Sequence, residues 1–256
     1  MYVKQELERS GVVRIPTVFS LDEVSLIRRV ALDVMARWVD NCGYNSGYQI
    51  QWRNSSEGRW PSILFWPALA DRYLENIRRK PHFVSIVKML CGDNVKQLNN
   101  QIYFRIPGDG DTFSPHRDIR FRRGVKDREL LLNSYIQTVI AVDKVTVENS
   151  PIEFFIGSHT SRIPDGVSDD SELRALDEQQ AQNLRLRYES RKFTMNPGDI
   201  LAWKLMTLHC SSKNASDRMR MTYMNGFAHA RSVEDWPMFL QNGELADLNG
   251  DLVPVT

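Results

Sequence analysis

Cysteine is scarce in this chain. Cys42, Cys91 and Cys210 are the whole complement in 256 residues, an odd number without paired spacing. That excludes a disulfide framework and a cysteine-based zinc site. No apolar run approaches the roughly 18 residues of a membrane-spanning helix. The opening MYVKQELERSGVV lacks the apolar core of a signal peptide, so a reducing, cytoplasmic setting is expected, with no membrane partner. An excess of one charge is missing too: 33 basic residues face 32 acidic ones, for a net charge of +1. Bulk electrostatics therefore gives no reason to expect nucleic acid. No internal repeat, low-complexity tract or linker divides the sequence. At this length one core suffices, and a single domain over residues 1–256 is expected, with 229–256 as a C-terminal extension. Neither the composition nor any motif sets an oligomeric state.

What is present falls into two textures. GVVRIPTVF (11–19) reads as a short strand and 20–39 as a helix. Ser20 and Glu23 have capping-box spacing, and Val24, Ile27, Val30, Leu32, Val34 and Met35 form an apolar stripe near helical period. The segment 43–66, rich in Gly, Ser, Asn and aromatics, reads as irregular. A helical stretch over 67–91 is interrupted by Pro81, which ends or kinks it. From about residue 96 polar and apolar residues alternate, in 96–108, 133–145, 191–206 and 218–230, with a Pro-Gly-Asp turn at 197–199 and one helix near 171–188. Helices first and strands afterwards predict an α+β fold whose strands form a sandwich or barrel.

Within SPHRDIRF, His116 and Asp118 stand two apart. Around an extended residue such positions project to the same side, so the pair can present an imidazole and a carboxylate to one metal ion while Arg117 points away. Two histidines and a carboxylate on one face of a metal leave other positions open, which suits Fe(II) oxygen chemistry. The third ligand must come from a distant strand, and His209, ending DILAWKLMTLH, is the best candidate. Arg220 follows eleven residues later. A strand, turn and return strand over that distance bring its guanidinium behind the metal, where it can clamp a distal carboxylate in bidentate fashion.

His116-Arg117-Asp118 together with NPGDILAWKLMTLHCSSKNASDRMR resembles the phytanoyl-CoA dioxygenase-like branch of the iron(II)/2-oxoglutarate oxygenases. The features carrying the resemblance are Gly198-Asp199, His209, Ser211, Asn214 and Arg220. The segment 139–159 is similar to the family's strand and loop ending in Pro-Gly-Ser-His, with two departures: Ile156 in place of Pro, and Ser150-Pro151 in place of a glycine after Asn149. The resemblance covers roughly 11–228. It implies a double-stranded β-helix, a distorted jelly roll with flanking N-terminal helices. It further implies Fe(II) held by His116, Asp118 and His209, and 2-oxoglutarate chelating the metal with its far carboxylate on Arg220. O2 is the other co-substrate, succinate and CO2 are released, and a C–H bond of a small molecule is oxidised. Hydroxylation is the default outcome, beside desaturation, cyclisation or epimerisation. Related halogenases lack the carboxylate, so Asp118 argues against halogenation.

Several further residues are expected at the site. Gln101, Tyr103 and Arg105 share one strand face, pointing either into the barrel, at 2-oxoglutarate or substrate, or to solvent. Phe113 matches a position packing near the co-substrate. Of Gln137 and Thr138 one faces inward, and Thr138 is the choice as a 2-oxoglutarate ligand. Arg120 belongs to a basic cluster with Arg117, Arg122, Arg123, Lys126 and Arg128. That cluster reads first as a solvated loop of mixed charge and second as a basic mouth for an anionic substrate group. Trp52, Trp60 and Trp66 either line a substrate lid or plug the barrel end. His159 is expected to tie down a loop, His82 to lie on a helix surface and Cys210 to be buried packing; His229 is a weaker rival for the third ligand. The expected substrate is a free metabolite or a natural-product intermediate. Two other functions fit the same cavity: a silent jelly-roll ligand-binding protein, disfavoured by retention of all four key residues, and a zinc hydrolase, disfavoured by the absence of an evident general base.

Overall fold

The computed structural model describes residues 2–42, 50–55, 58–108, 112–161 and 178–248. After α1 (Tyr2–Ser10) comes the expected short strand, β1 (Val12–Ile15). The capping box then opens α2 (Leu21–Cys42) as its spacing predicts. The Ser20 N–H donates to Glu23 Oε2 at 2.9 Å and the Glu23 N–H to Ser20 Oγ at 3.2 Å. Val24, Ile27 and Val34 of its apolar stripe are buried, with Val30, Leu32 and Met35 partly so, and Ala31 is buried beside them.

The segment 43–66 departs from expectation. Its described residues are not irregular but form an antiparallel hairpin, β2 (Ile50–Ser55) and β3 (Gly58–Phe65); residues 43–49 and 56–57 lie outside the described set. Polar composition hid these strands. Their backbone groups are satisfied by pairing with each other and with β4 (Val95–Arg105), so no strong apolar alternation is needed. Pro81 does break the helical stretch, as expected. It sits at the first turn of α4 (Pro81–Cys91), where a missing N–H costs nothing, and it separates that helix from α3 (Arg72–Arg78).

Two antiparallel sheets follow. The larger runs β1, β9 (Ile200–Lys204), β6 (Ile136–Ala141), β11 (Arg220–His229), β4, β12 (Met238–Gln241), β13 (Glu244–Leu245), with the β2–β3 hairpin alongside β4. The smaller runs β5 (Phe113–His116), β10 (His209–Ser211), β7 (Ile152–Phe155), β8 (Ser190–Lys192). A helix not foreseen, α5 (Arg128–Ser134), precedes β6, capped by Asp127 accepting from the Leu130 N–H at 2.9 Å. Within the helix expected at 171–188, α6 covers Glu178–Arg187, and 171–177 are outside the described residues. Part of the tail 229–256 returns to the large sheet as β12, while 249–256 lie outside the described residues. Among the described residues no helix is long and apolar enough to cross a membrane.

Alternation along the strands separates two cores. Ile136 and Ile140 of β6, Ile200 and Ala202 of β9, and Met221 and Tyr223 of β11 join Ile27, Val34, Phe83 and Val87 of the helices on the outer face. Val139, Ala141, Leu201 and Trp203 join Phe154 of the small sheet between the two sheets. This is the double-stranded β-helix of the α+β expectation, and its interior opens into the site.

The Gly-Asp turn ahead of β9 is tightly built. Gly198 has φ of +90°, its carbonyl accepts from the N–H groups of Val18 and Phe19, and a Cβ there would fall 2.0 Å from the Phe19 carbonyl oxygen. The Asp199 carboxylate accepts from the N–H groups of Thr17 at 2.9 Å and Asn196 at 3.0 Å.

Candidate metal and co-substrate site

β5 runs inward and stops at His116. Arg117 stays extended, with φ of −111° and ψ of 142°. Its guanidinium turns away to donate to the carbonyls of Met206, Ser158 and Ser161 at 2.9, 3.3 and 3.3 Å. Asp118 opens a 3-10 turn, Asp118–Phe121, its own N–H held by the Leu205 carbonyl at 3.1 Å. His116 and Asp118 therefore face the same side across an extended residue, although Asp118 lies in a turn and not in a strand.

His209 does not end the apolar strand. β9 stops at Lys204, the chain turns with the Thr207 hydroxyl donating to the Gly11 carbonyl at 2.8 Å, and His209 begins β10 in the other sheet. There it pairs directly with His116, ring centroids 4.3 Å apart.

Hydrogen bonds set both tautomers. His116 Nδ1 lies 2.8 Å from the Ser114 carbonyl and His209 Nδ1 lies 2.9 Å from the Thr207 carbonyl. A carbonyl only accepts, so each Nδ1 donates and each Nε2 keeps a free lone pair. These Nε2 atoms lie 4.0 and 3.6 Å from Asp118 Oδ1, while Asp118 Oδ2 accepts the Trp203 indole N–H at 2.8 Å. All three residues are buried and their ligand atoms lie within 4.8 Å of one another. Burial, reinforced by His209, pushes the His116 imidazole down to about 4. It is then neutral near pH 7, the form that binds metal. Two imidazole nitrogens and one carboxylate oxygen, with no thiolate, fit an iron(II) ion.

Arg220 begins β11 opposite Arg105 of β4 and is buried. The loop before it is held by Asn214, which donates to the carbonyls of Arg105 and Arg218, both at 2.8 Å, and accepts from Ser216. The Arg105 guanidinium donates to Ser150 Oγ at 3.0 Å and to the Ser212 carbonyl at 2.8 Å. Ser150 takes φ of +69°, a conformation that favours glycine, and its hydroxyl donates to the Ser212 carbonyl at 2.6 Å. The departure from glycine is thus offset by a side-chain hydrogen bond.

His116, Asp118, His209 and Arg220 line one cavity of about 620 Å³. Gln101, Tyr103, Arg105, Phe113 and Arg120 line it too, so the polar face of β4 points inward. Thr138 does not. Its hydroxyl donates to the Asn225 carbonyl at 2.8 Å, on the helix-facing side of β6, and Gln137 occupies the wall in its place. The Gln137 carboxamide is itself set by Asn99, at 3.0 Å, and by Tyr135. Trp66 also lines the cavity, and Trp52 stands on β2 with Arg59 over its ring. The remaining histidines lie elsewhere: His159 bonds the Glu8 carbonyl, His229 accepts from the Arg231 N–H, and His82 sits on α4 with its ring edge on Phe19.

Trp203 escaped notice in the sequence, and Gln137 was weighed there but passed over for Thr138. The one signal for Trp203 was its parity with Leu201 on the inner face of β9. For Gln137 parity was available, but it does not say which face is inside.

The profile of the phytanoyl-CoA dioxygenase family matches residues 7–222. The dioxygenase lolE1 of Epichloe uncinata is 25% identical over 155 residues, 59% of this chain, and the match spans about half of that relative, 53% of its length. Among solved structures, EctD from S. alaskensis with 2-oxoglutarate and 5-hydroxyectoine superposes with a TM-score of 0.72 at 17% identity, covering 90% of this chain and 76% of its own. The epimerase SnoN in complex with Fe3+, alpha ketoglutarate and nogalamycin RO gives 0.70 at 17% identity, covering 100% and 92%. At such identities the likeness is one of fold.

Proposed function

Because the chain belongs to the phytanoyl-CoA dioxygenase family, we propose that it is an iron(II)- and 2-oxoglutarate-dependent dioxygenase that oxidises a C–H bond of a small molecule, with hydroxylation as the default outcome. The observation that carries this reading is the convergence of His116 Nε2, His209 Nε2 and Asp118 Oδ1 in a cavity that Arg220 also lines. His116, Asp118 and His209 hold the iron. When bound, Fe(II) would let O2 act as the oxidant of the C–H bond, with 2-oxoglutarate as the co-substrate that leaves as succinate and CO2.

The chain's own residues do the positioning. The Ser114 and Thr207 carbonyls keep both imidazoles in the Nδ1–H tautomer. Trp203 holds one carboxylate oxygen of Asp118 so that the other faces the metal. The guanidinium of Arg220 takes the far carboxylate of 2-oxoglutarate, and a planar fork matches a carboxylate better than an ammonium does. Gln137, Gln101 and Tyr103 supply polar contacts on the same wall, and Phe113, 6.1 Å from the His116 ring, supplies an apolar one.

Anaerobic titration with Fe(II) and 2-oxoglutarate tests this reading through the visible metal-to-ligand charge-transfer band. A band in the wild type is expected, absent in His116→Ala and needing far more 2-oxoglutarate in Arg220→Ala. No band, with tight zinc binding or no metal binding, refutes it.

A further inference from the structure

The basic cluster at 117–128 divides in the folded chain. Arg117 is buried and spent on three carbonyls, and Lys126 pairs with Glu234 at 2.8 Å. Arg120, Arg122 and Arg123 instead line the cavity. They leave the chain within five residues of the metal-binding carboxylate, on a segment pinned at both ends. Asp118 bonds Leu205 through its N–H, Arg122 bonds the Ile119 carbonyl through its own, and the Gly124 carbonyl accepts from Glu234. Arg120 lies over the Phe121 ring, and the edge of that ring meets His116 at 5.5 Å. Arg122 lies over the Tyr135 ring and donates to the Asp118 carbonyl at 3.3 Å. None of the three is ion-paired with a carboxylate among the described residues. Across the mouth, Arg53 of the β2–β3 hairpin lines the same cavity.

Charge within the cavity is one-sided. Among the described residues its wall carries six arginines and a single carboxylate, Asp118, in a chain whose net charge is only +1. Iron and 2-oxoglutarate do not correct this. The two charges of Fe(II) and that of Arg220 are balanced by Asp118 and the two carboxylates of the co-substrate. Five arginines remain: Arg53 and Arg105, and the three from one segment, Arg120, Arg122 and Arg123, gathered at the entrance of a partly desolvated pocket where charges are weakly screened. Such an entrance repels cationic substrates, and an anion is the partner that offsets the mutual repulsion. Guanidinium groups also fit the planar oxygens of carboxylate and phosphate.

Resting on the oxygenase reading above, we propose that the substrate is an anion whose carboxylate or phosphate group is bound at the cavity mouth by Arg120, Arg122 and Arg123, leaving a neutral part of the molecule to face the iron. These residues then set which compounds are accepted and which of their carbons lies nearest the metal.

The test uses the full chain loaded with Fe(II) and saturating 2-oxoglutarate under argon, which occupies Arg220 and makes the charge-transfer band a report on the formed site. Phenyl phosphate, benzoate and uncharged benzamide are titrated in, with the band and calorimetric heat as readouts. At least one anion is expected to bind saturably, about 10-fold or more tighter than benzamide. An Arg120→Gln/Arg122→Gln/Arg123→Gln variant should weaken that binding by about 10-fold or more, as should raised salt. The corresponding Arg→Lys variant should recover part of it. Which anion binds better separates a phosphorylated substrate from a carboxylic one. If the triple variant fails to form the band, Arg123→Gln alone, on the exposed end of the segment, carries the comparison. No anion binding, equal binding of anion and amide, or anion binding that survives removal of the charges overturns the inference. A missing band in the wild type strikes the oxygenase reading instead, and removes the premise of this one.

Discussion

The indole N–H of Trp203 lies 2.8 Å from Asp118 Oδ2, and it is the group that decides which carboxylate oxygen faces the two imidazoles. The two residues are 85 apart in sequence and in different strands and turns. Trp203 is fully buried, edge-on to both Phe154 and His209 at 5.3 and 5.4 Å. It therefore fixes a carboxylate and supports a histidine with one side chain.

Removing that donor while keeping an aromatic of similar shape should loosen the metal without unfolding the protein. Trp203→Phe is expected to weaken Fe(II) binding by about 10- to 100-fold, the usual cost of losing a partner that orients a ligand. Anaerobic Fe(II) titration read by the charge-transfer band checks this. Unchanged affinity would show that Asp118 needs no such support.

Gln137 and Thr138 should separate cleanly. Gln137→Ala is expected to raise the concentration of 2-oxoglutarate or substrate needed for turnover, because it alters the cavity wall. Thr138→Val should leave both unchanged and cost about 1 kcal/mol of stability through its lost bond to the Asn225 carbonyl. Succinate release and urea denaturation of the two variants decide the point.

Gly198→Ala should be among the more damaging turn substitutions, because Gly198 is buried. It forces a side chain into φ of +90° and onto the Phe19 carbonyl, for a loss above about 2 kcal/mol in urea denaturation. The displaced turn also carries Asp199 and the start of β9, so metal affinity should fall with stability.

Glu23 links stability to pH. Burial acts to raise its pKa, but the Lys80 ammonium at 2.8 Å and the Ser20 N–H outweigh burial and hold it below its ordinary 4.5. Because the folded value is the lower one, the contribution is complete above pH 4.5 and lost as acid titrates the folded carboxylate. Glu23→Ala should cost about 1 kcal/mol at pH 7, and the gap to wild type should narrow below pH 4.5. Denaturation midpoints at pH 7, 5 and 3 measure it.

Much of this protein is written locally. His116 and Asp118 share a side because an extended residue stands between them, and Ser20 caps α2 because Glu23 follows at the right interval. Asn196 and Asp199 close their turn with hydrogen bonds three residues apart. Those features depend on neighbours a few residues apart, and so did the recognition of His209 and Arg220 by a motif of constant spacing. The hairpin at 50–65 was not visible, because its strands draw stability from pairing with each other and with β4 instead of from apolar alternation. The choice between Gln137 and Thr138 was not visible either. Every residue of β6 is buried, so alternation marks two faces without saying which meets helices and which meets the cavity. The contact of Trp203 with Asp118, the register of His209 against His116, and the division of the arginines at 117–128 between carbonyls and cavity all join segments tens of residues apart. Only the packing of one sheet against the other brings those segments together, since the face a side chain takes depends on what the rest of the chain puts there.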